Sequence, residues 1–147
     1  MEIAVLALGC FWGPEIKFSK IEGIIKTEVG YCGGNNPITT YKEVCSGNTN
    51  HAEVVKLDFD DKIISYEEIL KIFFQIHDPT TLNSQGPDFG TQYRSEIFYL
   101  NDKQKKVAEK VLKNLDKKLS GKVVTKISLL KNYCPAEEYH QKYLEKK

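Results

Sequence analysis

The sequence contains no apolar run long enough to cross a bilayer, since the first one, Ile3 to Leu8, gives way at once to Gly9-Cys10. No basic stretch or cleavage-type site precedes that run, so nothing in it reads as an export leader and the expected location is cytoplasmic. An excess of either charge is missing too. Against 21 Lys and Arg stand 20 Asp and Glu, a formal net charge of +1, which gives no basis for binding nucleic acid or a membrane surface. The four cysteines, at 10, 32, 45 and 134, form no C-x-x-C pair, which weakens a zinc reading, so no metal is expected. Without export they point to reactive or buried thiols more than to a disulfide framework. Internal repeats and low-complexity segments are absent. What is present, 147 residues with 41% apolar and 28% charged content, suits one compact domain over 1–147, read as a monomer.

Residues 3–8 are apolar on both faces, as a central buried strand is, and Pro14 sits where the first turn of a helix tolerates it. A strand-to-helix turn therefore holds Gly9-Cys10-Phe11-Trp12-Gly13, with the helix running to about Lys20 and Gly23 stopping it. Ile25, Thr27, Val29 and Tyr31 alternate as one face of a second strand, and 30–40 reads as a glycine-bearing loop. A strand over Ala52 to Phe59 is followed by Ser65-x-x-Glu68, a capping box, and by a helix that Asp78-Pro79 ends. After a polar loop from Thr80 to Gln92 come a strand from Arg94 to Leu100 and a helix with Val107, Ala108, Val111, Leu112, Leu115 and Leu119 on one stripe. Val123, Thr125, Ile127 and Leu129 alternate as a last strand, and Pro135 to Tyr139 can open a short helix. This order predicts an α/β (α+β) fold with a ferredoxin-like split βαβ core, a mixed sheet with helices on one face, and an added C-terminal helix and strand.

Cys10 falls at a helix N-terminus, where free backbone N–H groups and the positive end of the dipole favour a thiolate and predict a lowered pKa. The plain alternative is an inert core thiol, since free cysteine is among the most buried residue types. Phe11 and Trp12 lie in a turn between two glycines, an expensive place for exposed aromatic area unless something apolar docks there, although such pairs more often only pack. Glu53 alternates with Val55, Leu57 and Phe59, which puts a carboxyl on the apolar face of its strand. Desolvation raises the pKa of such a carboxyl and lets it serve as a general acid; local hydrogen bonding at a strand end is the competing reading. Tyr41 and Tyr93 flank loops near the strand ends and can donate to a developing oxyanion, but eight tyrosines make any one of them a weak signal. Asp88, beside glycine, reads as a turn-former. His51, His77 and His140 read as surface or capping residues.

Together, Gly9-Cys-Phe-Trp-Gly13, Tyr31-Cys-Gly-Gly34, Tyr41-x-x-Val-Cys-Ser-Gly47, His51-Ala-Glu-Val-Val55, His77-Asp-Pro-Thr80, Gly90-Thr-Gln-Tyr-Arg-Ser95 and Pro135-Ala-Glu-Glu-Tyr-His140 resemble the A-type peptide methionine sulfoxide reductases. The resemblance runs from about Ala7 to Leu144. It implies thiol-dependent reduction of methionine S-sulfoxide, free or in proteins, with Cys10 as the nucleophile that becomes a sulfenic acid. By it, Phe11 and Trp12 line the pocket for the substrate methyl group. Glu53, Tyr41 and Tyr93 hold and protonate the sulfoxide oxygen, and Asp88 supports the same cluster. No bound cofactor is implied; the reductant is an external thiol, namely thioredoxin, glutaredoxin or a small dithiol. Many members carry a resolving cysteine in a glycine-rich tail, whereas no cysteine here follows Cys134. Cys32, in the glycine-rich loop, is the first candidate for that step and Cys134 the second, with Cys45 taken as a packing residue.

Three other classes compete with this reading. A zinc protein built from Cys32, Cys45, His51 and Cys134 would need tetrahedral ligands and usually closer paired spacings. A cysteine hydrolase needs an imidazole within reach of Cys10, and no histidine lies near it in sequence. A ferredoxin-like RNA-binding module needs aromatics among basic residues on a sheet face, whereas the lysines here cluster on helix residues 103–118.

Overall fold

A computed structural model of the chain describes residues 2–35, 38–46 and 49–142. Strands β1 (Glu2–Leu8), β2 (Ile24–Cys32) and β3 (Ala52–Phe59) alternate with helices α1 (Trp12–Ser19), α2 (Tyr41–Cys45) and α3 (Tyr66–Gln75). A small hairpin, β4 (Ser84–Gln85) and β5 (Asp88–Phe89), and a 3-10 turn at Thr91–Tyr93 lead into β6 (Ser95–Tyr99). Then come α4 (Asp102–Lys118), β7 (Lys126–Leu129), β8 (Cys134–Pro135) and a second 3-10 turn at Glu138–His140.

Six strands form one sheet in the order β7-β6-β1-β3-β2-β8. Pairing is antiparallel except between β6 and β7, which are parallel and joined through α4, so the sheet is mixed. β1 and β2, linked by α1, are separated by β3, the split arrangement expected from the element order. Alternation along the strands sorts the core into two layers. Ala4, Leu6 and Leu8 of β1 with Val55, Leu57 and Phe59 of β3 pack against Phe18 of α1, Ile69, Leu70 and Phe73 of α3, and Ala108 and Val111 of α4. The other face buries Val5, Ala7, Cys32, Ala52, Val54 and Phe98 under Leu130 and Tyr133, with no helix. Among the described residues no helix is long and apolar enough to cross a membrane.

Several expected boundaries move, each for a physical reason. Ile25 does not face inward. The β2–β3 register shifts between Ile24 and Lys26, so Ile24 packs on the core and Ile25 is left 57% exposed. β2 continues to Cys32, which takes Cys32 out of the loop and onto a strand. The polar stretch after Thr80 is organised by β4 and β5, and β7 begins at Lys126, not Val123, with Leu129 exposed at the sheet edge. α2 was not expected, although Thr40-x-x-Glu43 carries the signature: the Thr40 hydroxyl accepts the Glu43 N–H at 3.2 Å. The capping box at Ser65 and Glu68 forms as expected. None of the histidines is exposed, and His51 and His140 are both 1% exposed. Asn36, Pro37, Gly47, Asn48 and 143–147, including parts of the motifs above, lie outside the described residues.

A buried ion pair ties the sheet to two loops. Arg94 Nε donates to Glu96 Oε1 at 2.6 Å, while its other nitrogens reach the carbonyls of Thr91 at 2.9 Å and Asn50 at 3.1 Å. Glu96 Oε2 accepts the Ser128 hydroxyl from β7 at 2.6 Å. Removing one partner of such a pair leaves an uncompensated charge and costs about 3–5 kcal/mol. Arg94→Met is therefore expected to lower the urea midpoint sharply, and Arg94→Met/Glu96→Leu to regain most of the loss; equal midpoints for the single and double variants would refute this account.

Candidate active site

β1 ends at Leu8 and α1 begins at Trp12, so the chain must reverse within Gly9, Cys10 and Phe11. Gly9 has φ +96°, and a Cβ there would collide with Gln85 of β4, so only glycine fits. The turn leaves Cys10 half-buried at the start of α1, where its thiol takes the Trp12 backbone N–H. Phe11 is driven into the core at 1% exposure, 5.8 Å from the Tyr31 ring, while Trp12 stays partly exposed.

Glu53 is 1% exposed on the helix-covered face of β3. The Phe11 N–H donates to its Oε1 at 3.2 Å, while its Oε2 has no partner. Burial pushes this carboxyl up to about 8, the Phe11 N–H opposing and the charge of Asp88 adding to the rise. Burial also pushes the Cys10 thiol up, to about 11, against the Trp12 N–H, with Glu53, Asp88 and Cys45 contributing further. The expectation of a depressed thiol pKa is thus overturned: in the empty site desolvation outweighs the helix terminus. Near neutral pH the resting pair is a thiol facing a carboxylic acid.

Donors line the opposite wall. The Tyr41 hydroxyl lies within hydrogen-bond reach of the Tyr93 hydroxyl and the Cys45 thiol. Burial raises both phenols, Tyr93 to about 12, so each keeps its proton. Tyr41 opens α2, and its backbone N–H donates to Glu137 Oε2 at 3.0 Å; the Tyr31 hydroxyl donates to Oε1 of the same carboxylate at 2.8 Å. Glu137 belongs to a strap, 134–142, that binds the outer edge of β2. Ala136 N–H donates to the Val29 carbonyl at 2.9 Å, Gln141 exchanges two bonds with the Val29 backbone at 2.9 Å, and Lys142 N–H reaches Glu15 at 2.6 Å. The strap seats His140 against Phe11, Trp12 and Tyr41, at ring separations of 5.3, 5.6 and 4.5 Å.

The whole arrangement offers a sulfur nucleophile, an uncharged acid with a free oxygen, phenol donors and an aromatic wall. The family model described as "Peptide methionine sulfoxide reductase" matches residues 2–147. The chain belongs to this family. It is 80% identical to peptide methionine sulfoxide reductase MsrA of Pelagibacter ubique over all of both chains. Its structure is similar to that of Mxr1 from Saccharomyces cerevisiae in reduced form, with TM-score 0.94 and 43% identity over 99% of this chain and 85% of that one. Mxr1 in complex with Trx2 gives TM-score 0.69 and 28% identity over 97% and 84% of the two chains. The protein is accordingly a methionine sulfoxide reductase, an oxidoreductase.

In this reductase the structure gathers Cys10, Glu53, Tyr41, Tyr93 and Asp88 within mutual electrostatic reach, with Phe11 and Trp12 beside them. The groups acting most strongly on Cys10 are a backbone N–H and carboxyls, where a hydrolase nucleophile needs an imidazole. The candidate resolving thiols part company. Cys32 is fully buried on the helix-free face, its thiol donating to the Lys131 carbonyl at 3.2 Å. Cys134 pairs across β8 with Tyr31, which pairs with Glu53, so Cys134 shares the face that carries the site. Cys45, expected to pack, is exposed. Among the described residues no three ligand side chains come together to hold a metal ion. The sequence reading missed Glu137 and the strap, whose contacts with Tyr31, Tyr41 and Trp12 span 96–128 residues of chain.

Proposed function

We propose that this reductase acts on the S epimer of methionine sulfoxide, free or in oxidised proteins, with Cys10 as nucleophile and Glu53 as general acid. The observation that carries this reading is Glu53 Oε2, a buried carboxyl oxygen with no partner, on a group held protonated near neutral pH beside the thiol. A sulfoxide sulfur becomes electrophilic when its oxygen is protonated or strongly hydrogen-bonded. Phe11 and Trp12 receive the methyl group, Glu53, Tyr41 and Tyr93 hold the oxygen, and Asp88 biases the cluster toward its protonated form. Cys10 Sγ bonds to the sulfur as Glu53 gives its proton to the oxygen and takes up the thiol proton in exchange; the S–O bond breaks, the oxygen passes to Sγ as a hydroxyl, and the Sγ–S bond breaks to release the thioether. Thiol and sulfoxide thus become sulfenic acid and thioether, a two-electron exchange.

Regeneration needs a reducing thiol, and a thioredoxin-type protein fits, as the yeast relative's complex with Trx2 suggests. Four free thiols suit a reducing compartment such as the cytoplasm. Cys134 is the better-placed internal resolving residue, because its two-residue strand at the sheet edge can detach at small cost, whereas Cys32 would have to leave the opposite face.

A single-turnover assay without external reductant, with both epimers, tests this reading. Methionine is expected from the S epimer only, with two thiols lost in wild type and one in Cys134→Ser. Release from the R epimer would overturn the stereochemical assignment. Loss of two thiols in Cys134→Ser but one in Cys32→Ser would transfer the resolving role to Cys32.

A further inference from the structure

The aromatic wall has a part that the chemistry above leaves unused. The Trp12 indole N–H donates to His140 Nδ1 at 3.1 Å, across 128 residues of chain. His140 is buried, and its ring also lies 4.5 Å from Tyr41, 5.3 Å from Phe11 and 4.2 Å from Tyr139. A ring that accepts at Nδ1 is the neutral tautomer with its proton on Nε2, and that nitrogen makes no hydrogen bond. A second proton on Nδ1 would point at the indole N–H and break the bond.

We infer that neutral His140 is a positioning residue that fixes the plane of the Trp12 indole and so sets affinity for the sulfoxide methyl group. This rests on the reading of Trp12 as pocket wall. Losing the bond removes the hydrogen bond that sets the direction of the half-exposed indole, and the wall it contributes beside Phe11 is less well defined. The bond also explains why the strap reaches so far back: Ala136, Gln141 and Lys142 fasten it to β2 and α1, and His140 lies on the stretch between them.

The groups facing His140 favour the neutral ring. Tyr41 from α2 and Tyr139 on the strap keep their protons, and the turn before α1 contributes only the uncharged Phe11 and Trp12. Among the described residues Glu137 is the carboxylate that acts on the ring and favours the cation, but burial is the larger influence and lowers the imidazole pKa below its usual value. The bond is therefore expected to persist through neutral pH and to fail only on acidification past the range in which an ordinary imidazole takes up its proton.

Trp12 is the only tryptophan in the chain, so its emission reports on this bond directly. Wild-type emission is expected to fall in one step on acidification, below the usual imidazole range, as His140 takes up its second proton beside the indole, and KM for methionine S-sulfoxide to rise over the same range. His140→Asn, whose side-chain oxygen can stand in for Nδ1, should keep KM within about threefold and remove the fluorescence step. His140→Leu should raise KM about tenfold or more, the cost of one lost hydrogen bond to an ordered wall, with kcat changed far less. Wild-type emission that stays flat down to the pH at which the protein unfolds, or a fall in kcat at constant KM in His140→Leu, would overturn the proposal. Unchanged KM in Trp12→Phe would instead remove the pocket reading beneath it. The wild-type titration decides even if His140→Leu does not fold.

Discussion

Cys10→Ser releases no methionine above background from methionine S-sulfoxide, while its thermal unfolding stays close to that of the wild type. A serine hydroxyl has neither the polarisability nor the accessible anion that attack on sulfur requires, and removing a nucleophile outright costs about 10⁶-fold in well-studied hydrolases. The fold is expected to tolerate the change because the thiol's one notable bond is from the Trp12 N–H, which a hydroxyl accepts equally well. Turnover by Cys10→Ser at more than a thousandth of the wild-type rate would move the nucleophile elsewhere. The high thiol pKa adds a second expectation. Iodoacetamide should modify Cys10 slowly near neutral pH in the empty enzyme, with the rate rising toward about pH 11. Fast alkylation at pH 7 would show that the helix terminus, and not burial, governs this sulfur.

Glu53→Gln separates catalysis from stability in opposite directions. If the carboxyl delivers the proton, wild-type turnover falls as pH rises through about 8, where Glu53 ionises. The amide variant should lose this descending limb and run at least about a hundredfold slower below it, the usual weight of a general acid. Stability follows from the same raised pKa. The folded state favours the protonated carboxyl, so its contribution is full below about 4.5 and is lost as pH rises toward about 8. Glutamine has no proton to lose. Glu53→Gln should therefore melt above the wild type at pH 9 and lose that advantage at pH 4. A retained fall in activity above pH 8 in the variant would assign the proton to another group, and lower stability at pH 9 would contradict the raised carboxyl.

The elements whose signals are local were legible in the sequence. The Gly9-Cys10 turn, the Ser65-Glu68 capping box and the inward alternation of Glu53 all form where the pattern puts them. What escaped depends on pairing between distant segments. A strand as short as β8 has no periodicity, and the bulge that turns Ile25 outward depends on the register with β3. Cys32 looked mobile among glycines, but β2 holds it through its pairing with Ala52. The sign of the Cys10 shift was missed for a related reason: a helix terminus can be read from sequence, whereas the burial that overrides it, and the added charge of Glu53 and Asp88, depend on segments distant in the chain. Glu137 carries no signal of its own within Pro135 to His140, and only the docking of the strap gives it Tyr31 and Tyr41 as partners.

The bond between Trp12 and His140 spans nearly the whole chain, and this has a consequence for synthesis. During translation β1, α1, β2 and β3 can pair early, so the nucleophile and the acid can meet while most of the polypeptide is still unmade. The contacts of His140 with Phe11, Trp12 and Tyr41 cannot form until residue 140 has cleared the ribosome and the strap has joined β2. Docking of the strap, and not the meeting of Cys10 with Glu53, is the last contact needed to complete the arrangement around Trp12.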